Sequence, residues 1–272
     1  MQNKPMPEFQ PNTKLAIEAA RKAGARALEI YSTDFKVSEK EPGQLLTRAD
    51  VDADAAIHEA LAGSGYPILS EESADDPARL GARRVWIVDP LDGTSDFVNK
   101  TGEFSIMIAL VERQKSVIGV VYAPTTDALY VAESGRGAFC SADGGWKQLH
   151  VSATSSTPSA KAVVSRHHFT DKERAILDGL GVREFMQKGS AGLKIADIAQ
   201  GTADFYFTLT NKIKQWDTAA AYCILREAGG RMTDMLGGEL VYNTEDVYHQ
   251  HGILASNGVL HDAVARLYKN LN

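Results

Sequence analysis

Two aspartates, Asp89 and Asp92, stand just before a threonine in V-W-I-V-D-P-L-D-G-T-S-D-F-V-N-K, residues 85–100. Val85, Trp86, Ile87 and Val88 form a short apolar run with the β-branched and aromatic composition of a buried strand. The strand is expected to stop at Asp89, because Pro90 offers no ladder donor and Leu91 to Gly93 turn the chain. Thr94 or Ser95 then starts a helix, whose first N–H groups and positive dipole end face the same space as the carboxylates. Two carboxylates about 4 Å apart in a partly screened site repel by roughly 4 kcal/mol, so a divalent cation is the natural compensation. A hard cation between carboxylates and an anion at a helix start outlines a metal-assisted phosphate site. Turn capping explains Asp89 and Asp92 equally well, so other residues must decide.

The elements that would position these groups are legible along the chain. Thr13 to Tyr31 places Leu15, Ala16, Ala19, Ala20, Ala23, Ala27, Leu28 and Ile30 at helical spacing. A loop with Pro42 and Gly43 follows, and Thr47 or Asp50 can cap a second helix running to about Leu61. Asp50, Asp52 and Asp54 lie near that helix start, where negative charge suits the dipole. Ile68 and Leu69 form a short strand running into Ser70-Glu71-Glu72-Ser73, so a second strand ends in carboxylates. Strands are expected at 104–110, 116–122, 128–132 and 138–140, as an antiparallel sheet with a glycine turn at 135–137. Ser152 to Ser159 is rich in Ser, Thr and Pro and marks a boundary, giving halves 1–155 and 156–272. Beyond it come strands at 162–165, 203–208 and 252–255 and helices at 170–180, 192–200, 219–228 and 258–271. Gly229-Gly230 ends the third of these helices, and Asp217 stands near its start, where capping alone would account for it.

Composition bounds the function. The chain has 272 residues, a net charge of -6 and 44% hydrophobic residues, enough to bury one large or two smaller cores. That mild acidity disfavours a nucleic-acid polymer as partner, and no window approaches the ~20 apolar residues of a membrane span. Met1 to Pro11 is polar, without the apolar segment of a signal peptide, so a cytoplasmic location is expected. Two cysteines, Cys140 and Cys223, exclude a disulfide framework and read as small apolar fillers. His167 and His168 are adjacent and His249 and His251 alternate, neither being a metal spacing, and oxygen ligands without histidine favour magnesium over zinc. No Walker A loop, G-x-G-x-x-G after a strand or G-x-S-x-G elbow occurs.

Three segments now form a pattern. Glu71-Glu72-Ser73, Trp86-Ile-Val-Asp89-Pro-Leu-Asp92-Gly93-Thr94 and Trp216-Asp217-Thr218-Ala219-Ala220 resemble, in order, the signatures of the magnesium-dependent, lithium-sensitive phosphatases. That superfamily includes inositol monophosphatases, fructose-1,6-bisphosphatases and 3'(2'),5'-bisphosphate nucleotidases. The resemblance runs from about Leu15 to the C-terminus. It implies an α/β fold layered α/β/α/β/α with the site between the two halves. It further implies that Glu71, Asp89, Asp92, Asp217 and the Leu91 carbonyl ligate two or three magnesium ions. Thr94 and Glu71 would orient and deprotonate a water, and Asp50 would support Thr94. The N–H groups of Gly93, Thr94 and Ser95 would hold the phosphate, and a homodimer is a further implication.

Residues outside this shared set bear on the substrate. Gly102-Glu103-Phe104, Ser165-Arg166-His167-His168, Gly189-Ser190-Ala191-Gly192-Leu193-Lys194 and Lys214-Gln215-Trp216-Asp217 are similar to segments of bisphosphate nucleotidases. The expected substrate is therefore a nucleoside bisphosphate such as 3'-phosphoadenosine 5'-phosphate, losing its 3'-phosphate. Lys194 would receive the second phosphate, with His167, Ser190 and Asp217 as further substrate contacts and Arg166 and Lys214 in reserve. Asp96 and Asn99 match neither nucleotidases nor inositol phosphatases, and Ser70 replaces a common glycine. An inositol monophosphatase is the rival reading, and a metal or nucleotide sensor the non-enzymatic one.

Overall fold

The computed structural model describes residues 7–41, 44–142 and 144–271. The expected Pro42-Gly43 loop and the first part of the polar N-terminal stretch lie outside the described residues. Helix α1 (Pro11–Tyr31) opens on a proline, which needs no helical N–H partner, and buries Ala16, Ala19, Ala20, Ala23 and Ala27. Those small side chains let it lie close to α2 (Arg48–Leu61). Thr47 caps α2, and Asp50 answers as the other half of a capping box, so both residues offered by the sequence take part. Between the two helices, β1 (Val37–Glu41) and β2 (Gln44–Thr47) pair antiparallel, where only a loop was expected.

A seven-stranded sheet follows, ordered β3 (Ile68–Ser70), β4 (Arg84–Asp92), β5 (Ser105–Glu112), β6 (Lys115–Ala123), β7 (Ala128–Glu133), β8 (Gly137–Ala142) and β9 (Gly145–Gln148). β3 runs parallel to β4 and the remaining pairs are antiparallel. Alternation decides the faces. Trp86 and Val88 of β4 join Ile106, Ile108 and Leu110 of β5 in one core under α1 and α2. Val85 and Ile87 join Met107, Ala109 and Val111 in the core on the opposite face.

The second half builds a five-stranded sheet ordered β11 (Glu184–Lys188), β10 (Lys161–Ser165), β12 (Phe205–Thr208), β14 (Ile253–Ser256) and β13 (Arg231–Thr233). Helices α5 (Ala191–Ala199) and α6 (Ala219–Glu227) lie between the two sheets, sharing one core with both. α6 rests on β6 at Gly119, where a β-carbon would come within 2.1 Å of the Ala220 carbonyl oxygen. Helices α4 (Asp171–Gly179) and α7 (His261–Leu271) cover the outer face of the second sheet over Phe205, Phe207 and Leu254, with Val264 of α7 in the same core. The layers are thus α/β/α/β/α, as the resemblance implied. No helix among the described residues is long and apolar enough to cross a membrane.

One expectation is corrected here. β4 does not stop at Asp89: after an irregularity between Asp89 and Asp92 it pairs again, Asp92 opposite Ser105. The irregularity falls where Pro90 has no N–H to give, so the ladder bends around the proline instead of ending. The short edge strands β9, β11 and β13 were also not read from the sequence.

Candidate active site

Strand ends and turns bring the acidic residues together. β3 ends at Ser70, and the Glu71 N–H donates to the Val88 carbonyl of β4 at 3.2 Å, which fixes Glu71 beside Asp89. Asp89 is 2% exposed and accepts from the Leu91 N–H at 3.0 Å. Asp217 belongs to a turn closed by the Lys214 N–H, which donates to its Oδ2 at 2.7 Å. It does not cap α6, whose N-cap is Thr218 without a side-chain bond, so capping does not explain it. Glu71, Asp89 and Asp217 each offer an oxygen within 4.8 Å of the others.

Electrostatics make this cluster costly without a counter-charge. Burial, and then repulsion from Glu71, Asp92 and Asp217, holds the Asp89 carboxyl well above its ordinary range. Asp217 is raised well above its range too, by burial and the Glu71 and Asp92 charges, against the Lys214 N–H bond. Burial raises Glu71 as well, against the pull of Lys40 and Lys214. Three carboxylate oxygens at this spacing, with Asp89 buried and Glu71 and Asp217 half-buried, suit a hard divalent cation, and no histidine or thiol belongs to the cluster.

Asp92 stands apart from that trio. Its Oδ2 accepts from the Gly192 N–H at 2.8 Å, from Ser105 Oγ at 3.5 Å and from Ser190 Oγ. Asp92 is thereby tied to the start of α5, while its charge still acts on Glu71, Asp89 and Asp217. Beyond it Gly93 takes φ +97°, a region open to glycine, and helix α3 (Thr94–Val98) begins at Thr94. Thr94 Oγ1 donates to Asp50 Oδ1 at 3.1 Å and lies 3.3 Å from the Leu91 carbonyl, leaving Ser95 one residue inside the helix. Asp50 Oδ2 accepts from the Thr47 N–H and hydroxyl, both at 2.7 Å. Burial outweighs these bonds and raises the Asp50 carboxyl.

Of the residues proposed from sequence for the substrate, Lys194 and Ser190 are buried while His167 is exposed. Lys194 is 3% exposed, donates to the Gly189 carbonyl and lies 5.1 Å from the Tyr206 ring centre. Burial lowers its ammonium to about 8, against the opposing charges of Asp92, Asp96, Glu103 and Asp217. Ser190 caps α5 through the Leu193 N–H at 3.1 Å besides bonding Asp92. His167 Nε2 lies 2.9 Å from Asp96 Oδ2, and Arg166 Nε lies 3.1 Å from Asp96 Oδ1. Asp96, which matched neither relative in the sequence, is thus a buried acid clasped from the second half.

Sequence reasoning missed Lys40 and the burial of Glu72. Lys40, on β1, pairs with Glu72 and lies 3.9 Å from Glu71. Burial lifts Glu72 to about 7 despite that pairing. The signal was a lysine just before Pro42-Gly43 in the sequence, which reads as part of a strand only once its partner strand is known.

With this geometry in place, the likeness to known proteins is extensive. Residues 8–272 match the model of the inositol monophosphatase family. A 3'(2'),5'-bisphosphate nucleotidase CysQ of Aggregatibacter actinomycetemcomitans is 34% identical over 236 residues, 85% of this chain and 87% of that protein. An inositol-1-monophosphatase of Caulobacter vibrioides is 32% identical over 262 residues, 91% of this chain and 97% of that protein. The crystal structure of CysQ from Bacteroides thetaiotaomicron superposes with a TM-score of 0.80 at 34% identity, covering 92% of this chain and 98% of that one.

Proposed function

Since this chain belongs to the inositol monophosphatase family and is a phosphatase, we propose that it removes the 3'-phosphate of a nucleoside 3',5'-bisphosphate. The foremost candidate is 3'-phosphoadenosine 5'-phosphate, giving AMP and phosphate. The observation that carries the reading is the convergence of Glu71, Asp89 and Asp217 within 4.8 Å. These residues, with Asp92 and the Leu91 carbonyl, would hold two or three magnesium ions. Magnesium bound there supplies charge neutralisation for the phosphoryl oxygens and a more acidic water.

The chain's own residues do the rest. The N–H groups of Gly93, Thr94 and Ser95 receive the phosphate at the end of β4. The attacking water donates to Thr94 Oγ1, whose own proton is held by Asp50 Oδ1 at 3.1 Å, so the water's lone pair is free to face phosphorus. Glu71 takes the other proton as the new P–O bond forms. The bond from phosphorus to the 3' oxygen breaks, and that oxygen is protonated from solvent. Beyond the proton taken by Glu71, the protein contributes positioning and charge, and no covalent intermediate is required.

For the substrate, Lys194 supports a bisphosphate, because burial disfavours its ammonium and an arriving anion would offset that desolvation. His167, Ser190 and Asp217 would line the same side. The site is read as lying between the halves 1–155 and 156–272, since the larger sheet ends at Gln148 and the smaller begins at Lys161. Inositol monophosphate is the second substrate reading, favoured by the Caulobacter relative. Comparing kcat/KM on 3'-phosphoadenosine 5'-phosphate and on myo-inositol 1-phosphate tests the choice. A preference for the nucleotide is expected, and a preference for the inositol ester overturns it.

A further inference from the structure

Arg79 is 1% exposed and sits in a short 3-10 turn, Pro77–Gly81, between Glu71 and β4. Its Nε and Nη2 donate to the two Asp75 oxygens at 2.6 and 2.9 Å. Its Nη1 donates to Asn243 Oδ1 at 2.8 Å, and Nη1 and Nη2 both reach the Thr244 carbonyl at 3.2 Å. Every donor of the guanidinium fork is engaged, and most of the bonds cross from the first half of the chain to the second.

The receiving loop is bound as firmly to the turn that carries Asp217. Asn243 returns its Nδ2–H to the Arg79 carbonyl at 3.1 Å and gives its N–H to Gln215 Oε1 at 2.6 Å. Gln215, 1% exposed, donates through Nε2 to Thr244 Oγ1 at 2.6 Å and to the Asp246 carbonyl at 3.1 Å. The Gln215 carbonyl accepts from the N–H groups of Thr218 and Ala219 at 3.3 and 2.9 Å, shaping the residues on either side of Asp217. A buried guanidinium is a poor choice where only volume is needed, since its desolvation is expensive and an apolar side chain packs as well. Its use here is directional.

We propose that Arg79 is a positioning residue for the cation site, clipping the segment that carries Glu71 to the turn that carries Asp217 through Asn243 and Gln215. It touches neither substrate nor cation. The inference rests on the reading of Glu71, Asp89 and Asp217 as cation ligands. Losing a partner that orients ligands commonly weakens metal affinity about 10–100-fold.

The test is manganese(II) titration of metal-free full-length protein, followed by the electron paramagnetic resonance signal of the free ion. Asp217→Asn identifies which binding belongs to this site. Arg79→Lys keeps the charge but cannot fill the fork, and Asn243→Gly removes its acceptor while suiting a backbone with φ +55°. Asn243→Gly therefore decides the matter should Arg79→Lys not fold. Both variants are expected to weaken the Asp217-dependent binding about 10-fold or more, at temperatures well below their unfolding midpoints. A merely structural role would lower the midpoint and leave manganese affinity at the wild-type value, and that result overturns the clip alone. Absence of Asp217-dependent binding in the wild type overturns the cation site and the clip with it.

Discussion

Thr94 and Asp50 meet across the site: the Thr94 hydroxyl donates to Asp50 Oδ1 at 3.1 Å, while Asp50 Oδ2 is held by Thr47 at 2.7 Å. One carboxylate therefore closes a helix cap with one oxygen and aligns a hydroxyl with the other. Thr94→Ala should lower kcat about 100-fold, the scale of a lost proton-positioning group, with a much smaller change in KM. Steady-state phosphate release checks this, and an unchanged kcat would remove Thr94 from the chemistry.

Asp217 should reverse the sign of its own effect on stability. In metal-free buffer Asp217→Asn removes one of several mutually repelling carboxylates, so its unfolding midpoint should equal or exceed that of the wild type. Saturating magnesium should raise the wild-type midpoint, by about 2.7 kcal/mol of linkage at a hundred times Kd, and leave the variant nearly unmoved. Thermal melts with and without magnesium report both signs. Equal shifts in the two proteins would contradict the assignment.

The sequence carried much of this site and less of its surroundings. Glu71, Asp89 and Asp217 could be named because each follows an apolar strand or precedes an alanine-rich helix, and such ends are visible in a linear pattern. The extension of β4 through Asp92 was not visible, because it depends on Ser105 of a neighbouring strand. Lys40 escaped for the same reason: its carboxylate partners, Glu71 and Glu72, lie on another element. Lys194 was legible as a helix lysine, yet its burial against Tyr206 and the Gly189 carbonyl is a product of packing between sheets.

Acid should weaken the fold through His261, remote from the site in sequence and 0% exposed. Burial lowers its imidazole to about 4 from the ordinary 6.5, and its ring nitrogens pair with Ser256 and Thr233 hydroxyls at 2.8 and 2.9 Å. The folded state thus binds the proton less readily than the unfolded chain. The stabilisation is fully present above about pH 6.5 and is lost as pH falls toward 4, about 3 kcal/mol in all. Urea unfolding across that window should show a shallower pH slope in His261→Gln. An unchanged slope would assign the acid sensitivity elsewhere.

Gly119 is where α6 meets the larger sheet, and a β-carbon there would lie 2.1 Å from the Ala220 carbonyl oxygen. Backbone cannot yield as a flexible side chain can. Gly119→Ala should destabilise by about 1–3 kcal/mol or more, read as a lower urea midpoint. Because α6 follows directly on Asp217, magnesium affinity should fall as well. A variant as stable as the wild type would show that the helix and sheet are not in this close contact.

Magnesium titration into metal-free protein, with phosphate release from 3'-phosphoadenosine 5'-phosphate as the signal, tests the central claim most directly. Wild-type release should start near zero and rise to saturation with added magnesium, and Asp217→Asn should stay near the metal-free level throughout. Release that proceeds at full rate without magnesium, or survives intact in Asp217→Asn, would contradict the account.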